Sequence, residues 1–189
     1  MDMHRGDRFE IRLSGSGGQG LMLAGKLLAE AAAVHEGRNA VQTESYGPEA
    51  RGGKSKTDVV ISDEEIDYPK ATRVDVLLAM TQAALDEYVS SLKDGGILLV
   101  DSYLVERVER PGAVSIPFTR LAMEQCGRAL FANVVALGAV AETSGIVKWD
   151  SLRSAVLARV PKGTEAVNEK ALQVGRDAAR ELAGGGRRG

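Results

Sequence analysis

The sequence predicts a three-layer α/β/α domain with a mixed, mostly parallel sheet and additional helices at its C-terminal end. Short, continuously apolar segments alternate with segments of helical periodicity before Arg120, and the pattern is helical after it. Continuous apolar strands are typical of a sheet that helices cover on both faces. The 189 residues suffice for one such domain, and neither a repeat nor a linker divides them.

The first segments predict a strand, a glycine turn, a helix and a second strand. Residues Phe9 to Leu13 alternate apolar and charged side chains and lead into the glycine turn. Helix-forming residues follow from Gln19 to Glu36, and Gly37 is expected to end that helix. Asn39 to Glu44 forms the second predicted strand, so a β-α-β unit is expected at the start of the domain.

The central part of the chain predicts the rest of the sheet. A polar loop precedes the third strand, and the pair Gly95-Gly96 turns the chain into a strand that ends in an acidic residue. Pro117 has no backbone N–H to donate, so the last strand is expected at an edge. The predicted strands are 57–62, 74–80, 97–101 and 114–117, with a short helix at 82–92.

The C-terminal third of the chain predicts helices. Their expected ranges are 129–143, 149–158 and 165–182. Residues 184–189 are Gly-Gly-Gly-Arg-Arg-Gly, which predicts a flexible tail. Residues 1–183 are therefore expected to form the single domain.

Charge and targeting patterns exclude several classes of function. The formal net charge is −2 and the basic residues are scattered, so attraction to nucleic acid or to an anionic membrane is not expected. The polar N-terminal residues do not resemble a signal peptide, and no apolar run has the length of a membrane span. We expect a cytoplasmic protein.

The chain has few residues that could bind a metal ion. Cys126 is the one cysteine, and there are two histidines. An iron–sulfur cluster takes about four cysteines, and a Cys/His zinc site is also short of ligands. Cys126 lies in a helical segment, where a buried, inert thiol is expected. The sequence predicts no metal centre and no catalytic residue in this chain.

The glycine turn matches the G-x-G-x-x-G fingerprint of Rossmann-like dinucleotide-binding domains at Gly15, Gly17 and Gly20. Such glycines permit a tight turn, and the helix start beyond them offers N–H groups to phosphate. Glu44 ends the second predicted strand, where a ribose hydroxyl would be bound. The same glycines would also serve simply to pack the helix on the sheet, so the fingerprint alone assigns no nicotinamide or flavin cofactor.

The polar loop from Tyr46 to Gly53 has residues suited to binding an anion. Gly52 and Gly53 let the backbone turn freely or lie flat against a ligand. Arg51 is suited to a two-pronged contact with a carboxylate or phosphate. A local ion pair between Glu49 and Arg51 that holds a surface loop explains the same residues equally well.

Several motifs, in the order and spacing of one family, extend from Ile11 to about Gly175. In these motifs the chain resembles the gamma subunit, or gamma domain, of 2-oxoacid:ferredoxin oxidoreductases. The loop is most similar to the 2-oxoglutarate branch and differs from the forms typical of the pyruvate and indolepyruvate branches. The motifs are GSGGQG at 15–20, AGKLLAEA at 24–31, SYGPEARGG at 45–53, the Gly95-Gly96 pair, ANVVALG at 132–138 and NEKAL at 168–172.

The resemblance implies a complex that decarboxylates a 2-oxoacid on thiamine diphosphate, transfers the acyl group to coenzyme A and passes electrons to ferredoxin. It places thiamine diphosphate, magnesium and the iron–sulfur clusters on partner alpha and beta subunits, with or without a delta subunit. This chain alone is expected to be inactive and to bind none of these cofactors. Exposed contact area also leads us to expect self-association, as a homodimer, when the chain is isolated.

For the gamma subunit, the resemblance implies a part in assembly and in the approach of coenzyme A. A glycine-rich helix start and an arginine are suited to a phosphate-bearing ligand of this kind. The binding residues predicted in the turn are Gly15, Gly17, Gly18, Gln19 and Gly20. Those predicted in the loop are Tyr46, Gly47, Glu49, Arg51, Gly52 and Gly53.

Two other functions remain open from the residues alone. One is a free-standing dinucleotide-binding oxidoreductase, although neither His4 nor His35 lies in a predicted strand-end loop to act as an acid or base. The other is a scaffolding subunit that contacts no ligand.

Overall fold

The computed structural model describes residues 8–46 and 53–185, and in these ranges six strands form one sheet in the order β2-β3-β1-β4-β5-β6. β1, β4, β5 and β6 are parallel neighbours, whereas β3 is antiparallel to both β1 and β2. The predicted mixed, mostly parallel sheet is thus confirmed. The strands are β1 (Phe9–Ser16), β2 (Asn39–Tyr46), β3 (Lys54–Ser62), β4 (Val74–Ala79), β5 (Leu92–Asp101) and β6 (Val114–Ile116).

The expected β-α-β unit is present, but another strand separates its two strands in the sheet. β1 and β2 run in the same direction, but β3 lies between them and pairs with both. Residues 47–53 are the whole connection between β2 and β3. A parallel crossover needs a dozen residues or more, so a connection this short returns the chain antiparallel to β2.

The helices begin and end within a few residues of the predicted positions. Three helices border a tighter or wider turn: a π-helical turn (Ala31–His35) follows α1, and 3-10 turns follow α2 (Val89–Ser91) and precede α4 (Ala129–Phe131). β5 begins at Leu92, so Gly95 and Gly96 lie inside a strand rather than before one. The helices are α1 (Leu21–Glu30), α2 (Gln82–Tyr88), α3 (Phe118–Cys126), α4 (Ala132–Ser144), α5 (Trp149–Arg159) and α6 (Glu165–Gly185).

The end of α6 also differs from expectation. Gly184 and Gly185 belong to this helix, although they were predicted as the start of the flexible tail. Glycine weakens a helix, but a long helix that is packed along most of its length can continue through two terminal glycines. Residues 186–189 lie outside the described ranges.

The two faces of the sheet are covered unequally. Ile11 and Leu13 of β1 belong to a large apolar core that includes residues of α1, α3, α4, α5 and α6. On the opposite face, Leu77 and Leu98 belong to a smaller core with Leu85 of α2 and Val105. The alternation of side chains along each strand produces these two cores, and helices on both faces confirm the three layers.

A buried ion pair lies on the α2 side of the sheet. The guanidinium of Arg12 donates to both carboxylate oxygens of Asp58, at 2.7 and 2.8 Å, and also to the Ser91 hydroxyl. Its carbon lies 5.2 Å from the centre of the Tyr88 ring. Burial and the hydrogen bond with Glu87 raise the pKa of Tyr88 to about 12. This network connects β1, β3 and the α2 region.

α4 is the central helix of the large core, and its packing against α6 depends on two glycines. Nearly every residue of α4 is buried. A Cβ on Gly138 would collide with the backbone carbonyl of Leu172, and a Cβ on Gly175 with that of Val135. Because each obstacle is a backbone atom of the other helix, no rotamer change could relieve the collision.

We expect Gly138→Ala and Gly175→Ala each to lower the free energy of unfolding by about 1–3 kcal/mol or more, because the added methyl group overpacks the contact. Chemical denaturation measures the loss. Gly184→Ala is the matched control, because Gly184 lies in α6 like Gly175 but has open space around it, and the variant should be neutral or slightly stabilising. Equal behaviour of all three variants would contradict the close helix contact.

Candidate functional site

The carboxyl ends of β1, β4, β5 and β6 lie together at one end of the sheet, because these strands are parallel. This end is called the carboxyl edge and is distinct from the outermost strands of the sheet. β2 ends at the same edge and β3 begins there, as their pairing requires. In open α/β sheets, ligands bind in the crevice at this edge. The predicted glycine turn and the predicted polar loop both follow strands that end here.

The glycine turn has a conformation that other residues would strain. Gly18 and Gly20 adopt positive φ angles of 91° and 73°. The side chain of Gln19 folds back, and its Oε1 accepts a hydrogen bond of 2.8 Å from the Ser16 N–H. A Cβ on Gly15 would overlap that oxygen. Gly15 and Gln19 therefore shape the turn, while Gly17 and Gly18 are exposed at its surface.

The polar loop ends beside the glycine turn. Gly17 donates its backbone N–H to the Gly53 carbonyl at 2.8 Å, and Ser16 pairs with Lys54 in the sheet. Lys54 also forms an ion pair of 2.5 Å with Glu87 of α2. The two segments that were predicted to bind a ligand thus adjoin each other.

The central residues of the loop remain predictions. Gly47, Glu49, Arg51 and Gly52 fall in residues 47–52, outside the described ranges. The backbone of Tyr46 is described as the last residue of β2. The choice between a ligand contact and a local ion pair for Arg51 is therefore left to experiment.

The glycine turn is held from the core side by Asn133, a residue that sequence reasoning did not assign to the site. Asn133 is at the start of α4 and is 5% exposed. Its Nδ2 donates to the Gly20 carbonyl at 3.0 Å, and its Oδ1 accepts from the Val134 N–H. The sequence feature that could have pointed to Asn133 is a polar residue within an otherwise apolar helix. Through Asn133, the central helix contacts the start of α1.

Asp101, the acidic residue that ends β5, is fully buried at this edge. Its carboxylate accepts hydrogen bonds of 3.1 Å from the backbone N–H groups of Tyr103 and Thr119, and another from the Thr119 hydroxyl. Burial raises the pKa of Asp101, and these hydrogen bonds oppose the rise. The carboxylate therefore joins the turn after β5 to the start of α3.

The position of Glu44 argues against the dinucleotide interpretation. A ribose-binding acid ends the strand next to the fingerprint strand. Glu44 pairs with Thr57 of β3, which in turn pairs with Leu13 of β1. The acid is thus two strand spacings, roughly 10 Å, from β1. The insertion of β3 places it too far to the side for that role.

Cys126 is half-buried at the end of α3. Burial raises the pKa of its thiol, and Lys170 only partly opposes the effect. A thiol with a raised pKa is a poor nucleophile and a poor metal ligand. This agrees with the expectation of an inert cysteine.

A mixed α/β/α sheet with a glycine turn and a polar hairpin loop at its carboxyl edge defines a Rossmann-like domain. The chain belongs to the pyruvate ferredoxin/flavodoxin oxidoreductase family, whose model matches residues 10–181. The resemblance drawn from the sequence motifs is thereby confirmed. No helix in the described ranges has the length and apolar character needed to cross a bilayer.

Three relatives define the similarity further. The 2-oxoglutarate synthase subunit KorC of Methanocaldococcus jannaschii is 49% identical over 93% of this chain and 96% of its own length. The gamma subunit of a keto/oxoacid ferredoxin oxidoreductase from Geobacter sulfurreducens is 46% identical, with a TM-score of 0.83 over 92% of this chain and 99% of that one. The ketoisovalerate oxidoreductase subunit VorA of Methanothermobacter marburgensis is 37% identical over 90% of this chain but only 36% of its own length.

We expect Asn133→Ala to loosen the glycine turn and to cost about 0.5–1.5 kcal/mol, because it removes one of the two donors to the Gly20 carbonyl, which keeps the Ala24 N–H. Chemical denaturation measures the cost, and hydrogen exchange of the amides at 17–21 should be faster in the variant. Asn39→Ala is the matched control, since Asn39 donates to the Glu64 carbonyl at the exposed surface. If both variants lose the same stability, Asn133 stabilises the turn no more than an exposed hydrogen bond stabilises the surface.

Proposed function

We propose that this chain is the gamma subunit of a 2-oxoglutarate:ferredoxin oxidoreductase. The observation that carries the proposal is 49% identity to a 2-oxoglutarate synthase subunit over nearly the full length of both chains. Two further 2-oxoglutarate synthase subunits are each 47% identical over 90% of this chain. Identity to the ketoisovalerate and pyruvate/ketoisovalerate relatives is lower, at 37% and 32%. This gradient favours 2-oxoglutarate over the other 2-oxoacids.

In the proposed complex, the gamma subunit supports the reaction without holding its redox groups. A single cysteine does not fit an iron–sulfur cluster. The sequence also has no Gly-Asp-Gly start to a thiamine diphosphate motif, since Gly6-Asp7 is followed by Arg8. In agreement with what the family resemblance implies, thiamine diphosphate, magnesium and the clusters are assigned to alpha and beta subunits, with ferredoxin as the electron acceptor. The complex would convert 2-oxoglutarate and coenzyme A to an acyl-CoA and carbon dioxide.

The carboxyl edge of the sheet is the proposed contact with coenzyme A. The first turn of a helix has N–H groups without partners inside the helix, and these favour an anion. α1 begins directly after Gly20, and the loop that contains Arg51 returns to the sheet at Gly53, which is bonded to Gly17. An arginine beside a helix start would supply two complementary donors for a phosphate. This arrangement supports an anion site that partner subunits complete.

The isolated chain is expected to have no 2-oxoacid oxidoreductase activity, because it lacks cluster ligands and a thiamine diphosphate motif. A ferredoxin- or dye-linked assay with thiamine diphosphate, magnesium and coenzyme A provides the measurement. Activity should be present only after alpha and beta subunits are added. Turnover by the purified chain alone, above the background of a heat-denatured sample, would disprove the subunit role.

The Arg51→Ala variant tests the proposed anion site. Loss of a charge-assisted contact costs about 1.5–3 kcal/mol, or roughly a ten- to hundredfold loss of affinity. The reconstituted complex should assemble normally but show a raised KM for coenzyme A or 2-oxoglutarate. Arg51→Lys should restore affinity only in part, because an ammonium cannot make the planar two-pronged contact.

Arg73→Ala is the control for Arg51, because Arg73 is an exposed arginine directly before β4, at the end of the parallel strands opposite to the proposed site. It should leave both KM values unchanged. A purely scaffolding subunit predicts wild-type kinetics for the Arg51 variants as well. That outcome would remove Arg51 from the site while leaving the subunit assignment intact.

A further inference from the structure

In the described parts of the chain, the outer edge of β2 presents backbone groups that no strand pairs with. β2 pairs with β3 along all eight of its residues, and no strand in the described parts of the chain pairs with its other side. The Thr43 carbonyl accepts a hydrogen bond from the Thr57 hydroxyl of β3, so the backbone groups of Thr43 face β3. Backbone direction alternates along a strand. The N–H and C=O groups that face outward therefore belong to Ala40, Gln42, Glu44 and Tyr46.

β2 also lacks the features that usually prevent edge strands from pairing. Edges are protected by short strands, lysine, proline, bulges or inward-pointing charges. β2 has eight residues in unbroken register with β3, contains neither lysine nor proline, and has one charged residue, Glu44. The strand at the other edge, β6, has only three residues. Among the strands that the structure describes, β2 is therefore the long, unprotected edge of the sheet.

An aliphatic residue is exposed beside the same edge. The π-helical turn Ala31–His35 contacts β2, and Val34 in that turn is 71% exposed. No other large apolar residue in the described ranges is more exposed. A single exposed valine is ordinary on a protein surface. Its position means, however, that a sheet joined at β2 would bring a second helical layer towards it.

We infer that β2 pairs with β2 of a second copy of this chain, antiparallel across a two-fold axis, so that the two sheets become continuous. An axis centred on Thr43 places Ala40 opposite Tyr46, and Gln42 opposite Glu44, of the second copy. All outward N–H and C=O groups of 40–46 then face outward groups of an identical strand. Such a self-complementary contact is an isologous interface, the commonest kind in homodimers.

The side chains of β2 fit this occupant. With the axis on Thr43, the acidic Glu44 lies opposite the neutral Gln42 rather than opposite another Glu44. Like charges directly opposite each other are destabilising, whereas a Thr–Thr pair, which the axis would create at Thr43, is favourable. The two π-helical turns then lie on the same face of the joined sheet, one beside each end of the junction. The inference is independent of the proposed function.

Sedimentation velocity of the full-length chain, over a range of micromolar concentrations, tests the interface. We expect a reversible dimer. Glu44→Pro removes an outward N–H at an edge position that tolerates proline, and Val34→Lys places a charge beside the junction. Each variant should raise the dissociation constant of the dimer at least about tenfold. In the wild-type dimer, the amides of Gln42 and Glu44 should exchange slowly, and in Val34→Lys they should exchange fast.

Leu182→Lys is the matched control, because Leu182 is 49% exposed on α6, outside the β2 edge and its flanking turn. It should leave dimerisation unchanged. If Glu44→Pro fails to fold, as judged by its thermal unfolding curve, the exposed Val34→Lys variant decides the question. A chain that is monomeric at every concentration overturns the inference. So does a dimer that withstands both variants, or one that Leu182→Lys dissociates.

Discussion

The short connection between β2 and β3 is the constraint on which the arrangement of the sheet depends. Residues 47–53 cannot form a parallel crossover, so β3 returns beside β2 and then pairs with β1 over its full length. This return brings the Gly53 carbonyl to the Gly17 N–H, at 2.8 Å. One local feature of the chain thus places the loop next to the glycine turn, and also leaves β2 as the long, unprotected edge of the described sheet.

The glycine turn is supported by the core as well as by the loop. Gly138 and Gly175 allow α4 and α6 to approach until their backbones are in contact. α4 in turn directs Asn133 at the Gly20 carbonyl. A buried polar side chain is favourable only when its hydrogen bonds are satisfied, and both polar atoms of the Asn133 amide have partners. The contact between α4 and α6 therefore helps to position Asn133, which supports the glycine turn where the anion site is proposed.

The chemistry that this chain can contribute is limited by its residues. The single cysteine, a half-buried thiol with a raised pKa, supplies too few ligands for an iron–sulfur cluster. Gly17 and Gly18, at the carboxyl end of β1, are exposed. In VorA, the region similar to this chain is about a third of a longer protein. The same domain therefore occurs both as a separate chain and within a larger one.

The sequence by itself determined the α/β class, most helix positions, the glycine turn and the family, because periodicity and motifs are local properties of the chain. Only the tertiary structure decided the strand order, since pairing of β3 with β1 joins residues far apart in sequence. That pairing places Glu44 two strands away from β1, which argues against the dinucleotide interpretation. The tertiary structure also revealed the role of Asn133, whose partner Gly20 is 113 residues distant. Long-range contacts of this kind leave no periodic pattern in the sequence, so the residues that hold the site had to be found in three dimensions.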